Sequence, residues 1–291
     1  MSSPVNQTGS ESLLAELSNG GPLAQLFRQA SREVRGALEK VLAGGRAAQV
    51  VEQLSQSAHA SLQNGTNASP LVVLRQCGAG CSACCHTVSA DITPLEAIVV
   101  AEQLLRSATA ETLARVRARL HLNTVLRANM TAEERSRTRL PCGLLGDDGL
   151  CSVYESRPLV CAGVFSLSRP ACEQATLPTD LTVLTVPLDR PAKAWTMGVS
   201  GGLQRALVEA GLDGNLYELN SIVLYALDIP DVAARWLRGD DVFAPCVCTD
   251  AHSPPRKPPA ARRVDAPQTQ VSPSALKLAR KQRAKLLKKR Q

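Results

Sequence analysis

Aromatic residues make up only 3% of this 291-residue chain, while the hydrophobic share is 44%. A core of ordinary size must therefore be aliphatic, built from Leu, Val, Ala and Ile. A chain of this length buries one sizeable core, or one core plus appended segments. No apolar run approaches the ~18 residues of a membrane-spanning helix. The opening MSSPVNQTGSES is polar and lacks the basic-then-apolar pattern of a secretory leader, so a cytoplasmic location with reduced thiols is expected. There is no phosphate loop, no dinucleotide fingerprint, no H-E-x-x-H and no nucleophile elbow. The sequence therefore points to no familiar catalytic constellation, and whether the chain is an enzyme stays open at this point. The glycine-rich GVSGG at 198–202 has no convincing strand before it and reads as a loop.

Acidic residues are almost missing from one region. Residues 253–291 hold 12 Lys/Arg and a single acid, Asp265. The overall charge of +7 hides a body, residues 1–252, with 21 Lys/Arg against 25 Asp/Glu. The basic character thus belongs to the tail. Its Pro-rich start, 253–270, reads as a disordered linker, and ALKLARKQRAKLLKKRQ follows with eight Lys/Arg and no acid. Such a tail is either a solvated appendage or an element attracted to nucleic acid or another polyanion through phosphates.

What the chain has in abundance is cysteine. Ten are present, and eight fall in two groups: Cys77, Cys81, Cys84 and Cys85 in CGAGCSACC, then Cys142, Cys151, Cys161 and Cys172. Thiolates crowded together without a cation repel strongly, so this spacing points to a bound metal rather than to inert thiols or disulfides. Cys-x3-Cys-x2-Cys is short enough for one loop to wrap an ion. Side chains of adjacent residues point in different directions. Cys84 and Cys85 are therefore expected to serve different ions, or to join the two groups in a shared cluster. All-thiolate ligation suits zinc and iron–sulfur centres alike. His86, next to the pair, is a ligand or polar loop surface; Cys172 is a ligand or a bystander. Cys246 and Cys248 read as bystanders.

The rest of the chain reads mainly as helix. Phe27, Ala30, Val34, Leu38 and Val41 recur at helical spacing over 22–42, and Val50, Val51, Leu54 and Ala58 do so over 47–62. Gly44-Gly45 stops the first helix, and NGTNASP at 64–70 is expected to be a turn or linker. This hairpin either lies against the cysteine region or stands apart as a homodimer element. Thr93-Pro94-Leu95-Glu96 is a capping box that starts a helix, with another helix at 110–128. Leu144–Leu150, LLGDDGL, is a tight turn that sets Cys142 and Cys151 on opposite arms. LTVLTVPL at 181–188 is a strand candidate, and helices are expected at 202–211, 216–227 and 230–238. The expected architecture is mainly α with a small irregular, β-containing cysteine-rich metal core. Its parts are a helical hairpin with a disordered start (1–70), a cysteine domain with C-terminal helices (71–252), and the linker and tail (253–291).

The order CGAGCSACC, then the Thr93/Glu96 helix start, then PCGLLGDDGLCSVYESRPLVC resembles the YkgJ-like cysteine-cluster family of zinc- or iron-chelating domains. The resemblance covers roughly residues 75–175. The usual family opening is C-x2-C-x2-CC, whereas three residues separate Cys77 from Cys81 here. The resemblance implies Cys77, Cys81, Cys84, Cys85, Cys142, Cys151 and Cys161 as ligands of zinc or iron. The family also resembles the cysteine segment of flagellin lysine methylases, which keeps an iron–sulfur-dependent enzyme as the alternative reading. Arg157, in the R-P dipeptide before Cys161, either offsets thiolate charge or forms a surface salt bridge with Glu155 or Asp148. Tyr154 reads as a packing residue.

Overall fold

The structure, a computed structural model, describes residues 15–42, 47–78, 80–87, 89–128, 130–131, 134–135, 138–176 and 186–246. The expected disordered start, the Gly44-Gly45 stop, Cys248 and the linker and tail lie outside them. The fold is mainly helical, as expected. In chain order the elements are α1 (Pro22–Leu42), α2 (Ala47–Asn67), α3 (Ala83–Thr87), β1 (Asp91–Ile92), α4 (Pro94–Ser107), α5 (Ala110–Arg127), α6 (Leu159–Ala162), α7 (Arg169–Thr176), α8 (Arg190–Glu209), β2 (Tyr217–Glu218), α9 (Leu219–Asp228) and α10 (Val232–Leu237). Among the described residues, no helix is long and apolar enough to cross a membrane.

The core is aliphatic for the reason the composition gives. Ala30, Val34, Leu38, Leu54, Ile98 and Leu120 are wholly buried in one cluster. Trp236 and Phe243 are the largest side chains closed off from solvent, and Phe243 sits against Tyr217 and Tyr225. Each fully buried Leu or Val contributes about 1.5–3 kcal/mol.

The N-terminal hairpin lies against this body. α1 packs along α8, and α2 packs on α1, α8 and α4. The close fit of α1 on α8 explains why GVSGG is helix and not loop. A Cβ on Gly198 would lie 2.4 Å from the Phe27 carbonyl oxygen, and one on Gly202 would lie 2.7 Å from that of Ser31. The glycines therefore let two backbones meet, and α8 begins twelve residues earlier than helical periodicity suggested, at Arg190. Gly65 has a similar role. It lies inside α2, not in a turn, because the Trp195 ring covers it so closely that a Cβ would overlap the indole. Trp195 Nε1 donates to the Ser61 carbonyl at 2.9 Å, which fixes the ring in place.

A two-stranded antiparallel ribbon pairs Asp91 with Glu218 and Ile92 with Tyr217. It brings together the starts of α4 and α9, and α9 then packs on α4 and α5. Of the strand expected at 181–188, residues 181–185 lie outside the described residues. Leu188 forms an isolated bridge with Ser166. The apolar run 71–74 leads into a 3-10 turn, Val72–Leu74, whose side chains face solvent.

Candidate metal centre

The two cysteine segments meet through the backbone: the Cys142 N–H donates to the Cys85 carbonyl at 2.7 Å. The first segment reaches this point through a turn in which the Cys81 N–H donates to the Gly78 carbonyl and Gly80 has φ +79°. Only glycine takes that backbone readily. This turn absorbs the additional residue between Cys77 and Cys81. Helix α3 then carries Cys84 and Cys85.

The second segment is the tight turn that the sequence suggested. Gly146 N donates to the Leu150 carbonyl, Ser152 N donates to the Leu144 carbonyl, and Leu145 bridges Cys151. Asp148 Oδ1 accepts from Leu150 N, and Asp147 pairs with Arg119, so both acids shape and anchor the turn. The base of the turn is held by a buried polar group. Asn220 Oδ1 accepts from Gly143 N at 3.1 Å and from Asn123 Nδ2, while Asn220 Nδ2 donates to Glu218. Asn123 Nδ2 also donates to the Pro141 carbonyl at 2.7 Å. A Cβ at 143 would strike Asn220 and Leu120, so glycine is required beside Cys142.

Glu96 connects the T-x-x-E helix start to the third part of the site. Its Oε2 accepts from the backbone and hydroxyl of Thr93, which completes the capping box. Its Oε1 accepts from Leu159 N at 2.9 Å, at the start of α6, which carries Cys161. Burial raises the Glu96 pKa against the pull of these donors. Glu96→Gln puts an amide where one of two buried N–H groups needs an acceptor. The expected cost is about 1–3 kcal/mol, read by denaturant unfolding; an unchanged midpoint would show that the link contributes nothing.

These elements enclose a cavity of about 310 Å³ lined by Cys81, Cys84, Cys85, Cys142, Cys151 and Cys161. Six of the seven cysteines expected as ligands thus share one cavity. Cys84 and Cys85 act on each other directly, which lowers the Cys84 pKa and raises that of Cys85. Both line the cavity, so the short helix α3 presents the pair to one space. Burial pushes Cys142 up to about 11 and also raises Cys151 and Cys161. Cys161 is open to solvent through the cavity, yet it is packed in enough protein to lose much of its hydration. Among the described residues, no three Cys, His, Asp or Glu side chains are drawn close enough together to hold an ion.

The other expected positions are placed differently. Cys77 does not line the cavity; its sulfur accepts from Ser166 N at 3.1 Å, and Cys172 on α7 is an electrostatic neighbour. α7 packs against α3, so Cys77 and Cys172 stand beside the cavity. His86 is on α3 but off the cavity wall. Cys246 packs on the hydrophobic core, where burial pushes its thiol up to about 12. Arg157 lines the cavity, stacks 4.2 Å over the Tyr154 ring and acts electrostatically on Cys84 and Cys151. Among the described residues it forms no ion pair with Glu155 or Asp148. Tyr154 is a half-exposed rim residue rather than a packing residue. Sequence reasoning passed over Arg127, Asn123, Glu218 and Asn220. The last two carried one faint signal, polar residues opening an otherwise apolar helix.

Residues 76–176 match the family model CxxCxxCC, described as "Putative zinc- or iron-chelating domain". About a third of the chain is thus similar to a CxxCxxCC domain. The matched span holds the whole cysteine cavity apart from Leu219 and Asn220 of α9. No curated protein and no solved structure matches the chain.

Proposed function

We propose that the CxxCxxCC-like region of this chain holds one zinc- or iron-containing centre shared between both cysteine segments, with Cys84 and Cys85 at the junction. The observation that carries this reading is the set of six cysteines from three separate elements around one cavity. Soft thiolate donors select zinc or iron–sulfur iron over hard cations. Cys84 and Cys161 remain reachable from the cavity mouth, unlike the ligands of a closed structural zinc site. That favours a role in acquiring, holding or passing on metal over one in bracing the fold. Cys77 and Cys172 stand close enough to serve as a first contact for arriving metal, and Arg157 offsets thiolate charge at the rim.

Replacing one cysteine in each segment tests the shared centre. Cys85→Ser and Cys151→Ser, each alone, are expected to reduce the metal retained by the full chain to similar extents, measured by elemental analysis. A variant in either segment that keeps the full metal content would contradict a shared centre.

A further inference from the structure

Arg127, the last residue of α5, lies in the wall of the cysteine cavity and is only 5% exposed. Its Nε and Nη1 are buried without a hydrogen-bond partner, and among the described residues its guanidinium forms no ion pair. Two acids act on it electrostatically, Glu218 and Asp91, but neither forms an ion pair with it among the described residues, and the Glu218 oxygens already accept from Asn220 Nδ2 and Ser221 N. Arg135, a like charge, adds to the strain. A buried cation with two donor nitrogens left without acceptors is among the costliest features a fold can carry. It is explained if its partner arrives with a ligand. Cys142 lines the same cavity and interacts with it electrostatically.

We infer that Arg127 is the built-in counter-charge of the metal centre, donating to sulfur once metal binding has turned the cavity thiols into thiolates. This rests on the reading of the cavity as a metal site. The charge balance supports it. Four thiolates around a doubly charged ion or cluster leave two negative charges, and two guanidiniums, Arg127 and Arg157, line the cavity. Arg157 stands at the open rim over Tyr154, where water screens it. Arg127 is enclosed, so its interaction with the centre is screened far less. It acts through the ligating sulfurs and is therefore a positioning residue.

An arginine with this role has opposite effects on the empty and loaded protein. In the metal-free chain, Arg127→Met removes an unpaired buried charge and keeps the volume, so melting is expected to stay the same or rise. In the loaded chain the same change removes the counter-charge, and Zn²⁺ affinity is expected to fall about 10–100-fold. The experiment titrates the metal-free full chain with Zn²⁺ against a chromophoric chelator and records melting with and without the ion. Arg127→Lys, which keeps the charge, is expected to recover part of the affinity. Wild-type affinity in Arg127→Met, or an equal loss of melting temperature with and without Zn²⁺, would overturn the inference alone. A wild-type chain that takes up no Zn²⁺ in this titration would remove the metal reading and the inference with it.

Discussion

Asp189→Ala is expected to destabilise the protein by about 3–5 kcal/mol, the cost of breaking a buried ion pair from one side. Asp189 is wholly buried and joins three parts of the chain. Its Oδ2 accepts from Arg75 Nε at 2.9 Å, and Arg75 itself is largely covered. Its Oδ1 accepts from Ser69 Oγ at 2.7 Å and from Ala192 N at 3.0 Å, capping α8. The substitution leaves the Arg75 guanidinium buried over the Phe165 ring, at 3.8 Å, with only the Thr66 carbonyl as acceptor. A lost cap alone would cost about 1 kcal/mol; the stranded charge dominates. Arg75 leads directly into Cys77, so the change is also expected to loosen the first cysteine segment. Equilibrium unfolding in denaturant measures the effect. A loss near 1 kcal/mol would show that the pair is screened and that the cap alone matters.

Cys84→Ser is expected to abolish most metal retention while leaving the metal-free fold almost untouched. Cys84 is exposed to the cavity on the five-residue helix α3 and is not among the residues of the hydrophobic core or those packed against it. Serine removes the soft donor and adds no volume. A ligand that binds only the native state stabilises it by mass action. The wild-type protein should therefore melt higher with metal than without, and Cys84→Ser should melt near the metal-free wild type under both conditions. Calorimetry with and without added Zn²⁺ distinguishes the cases. A variant that keeps the metal-dependent rise in melting temperature would show that Cys84 is not needed at the centre.

The difference between these two substitutions reflects how the protein is built, and how much of that was legible in the sequence. Local signals were readable because their causes are local. Thr93 and Glu96 announce a capping box, and Gly-Asp-Asp-Gly announces the turn between Cys142 and Cys151; both are present. Signals whose cause lies in another part of the chain were misleading. Gly65, Gly198 and Gly202 look like helix breakers, yet each lies within a helix where Trp195 or the α1 backbone comes too close for a side chain. Adjacent cysteines suggested sulfurs pointing apart, and α3 places both on the wall of one cavity. Glu96 was legible as a cap, but nothing in the sequence indicates that its second oxygen holds Leu159 and thereby α6. Arg127 gave no signal at all, since an arginine ending an amphipathic helix usually faces water. Only the packing of α5 beside the cavity makes it notable.

The central claim is that both cysteine segments enclose one zinc- or iron-containing centre. Anaerobic purification of the full chain, followed by elemental analysis and visible absorption, tests it most directly. The account predicts a stoichiometric complement of zinc or iron, with a brown colour in the case of an iron–sulfur centre. A folded, colourless protein without zinc or iron would contradict it.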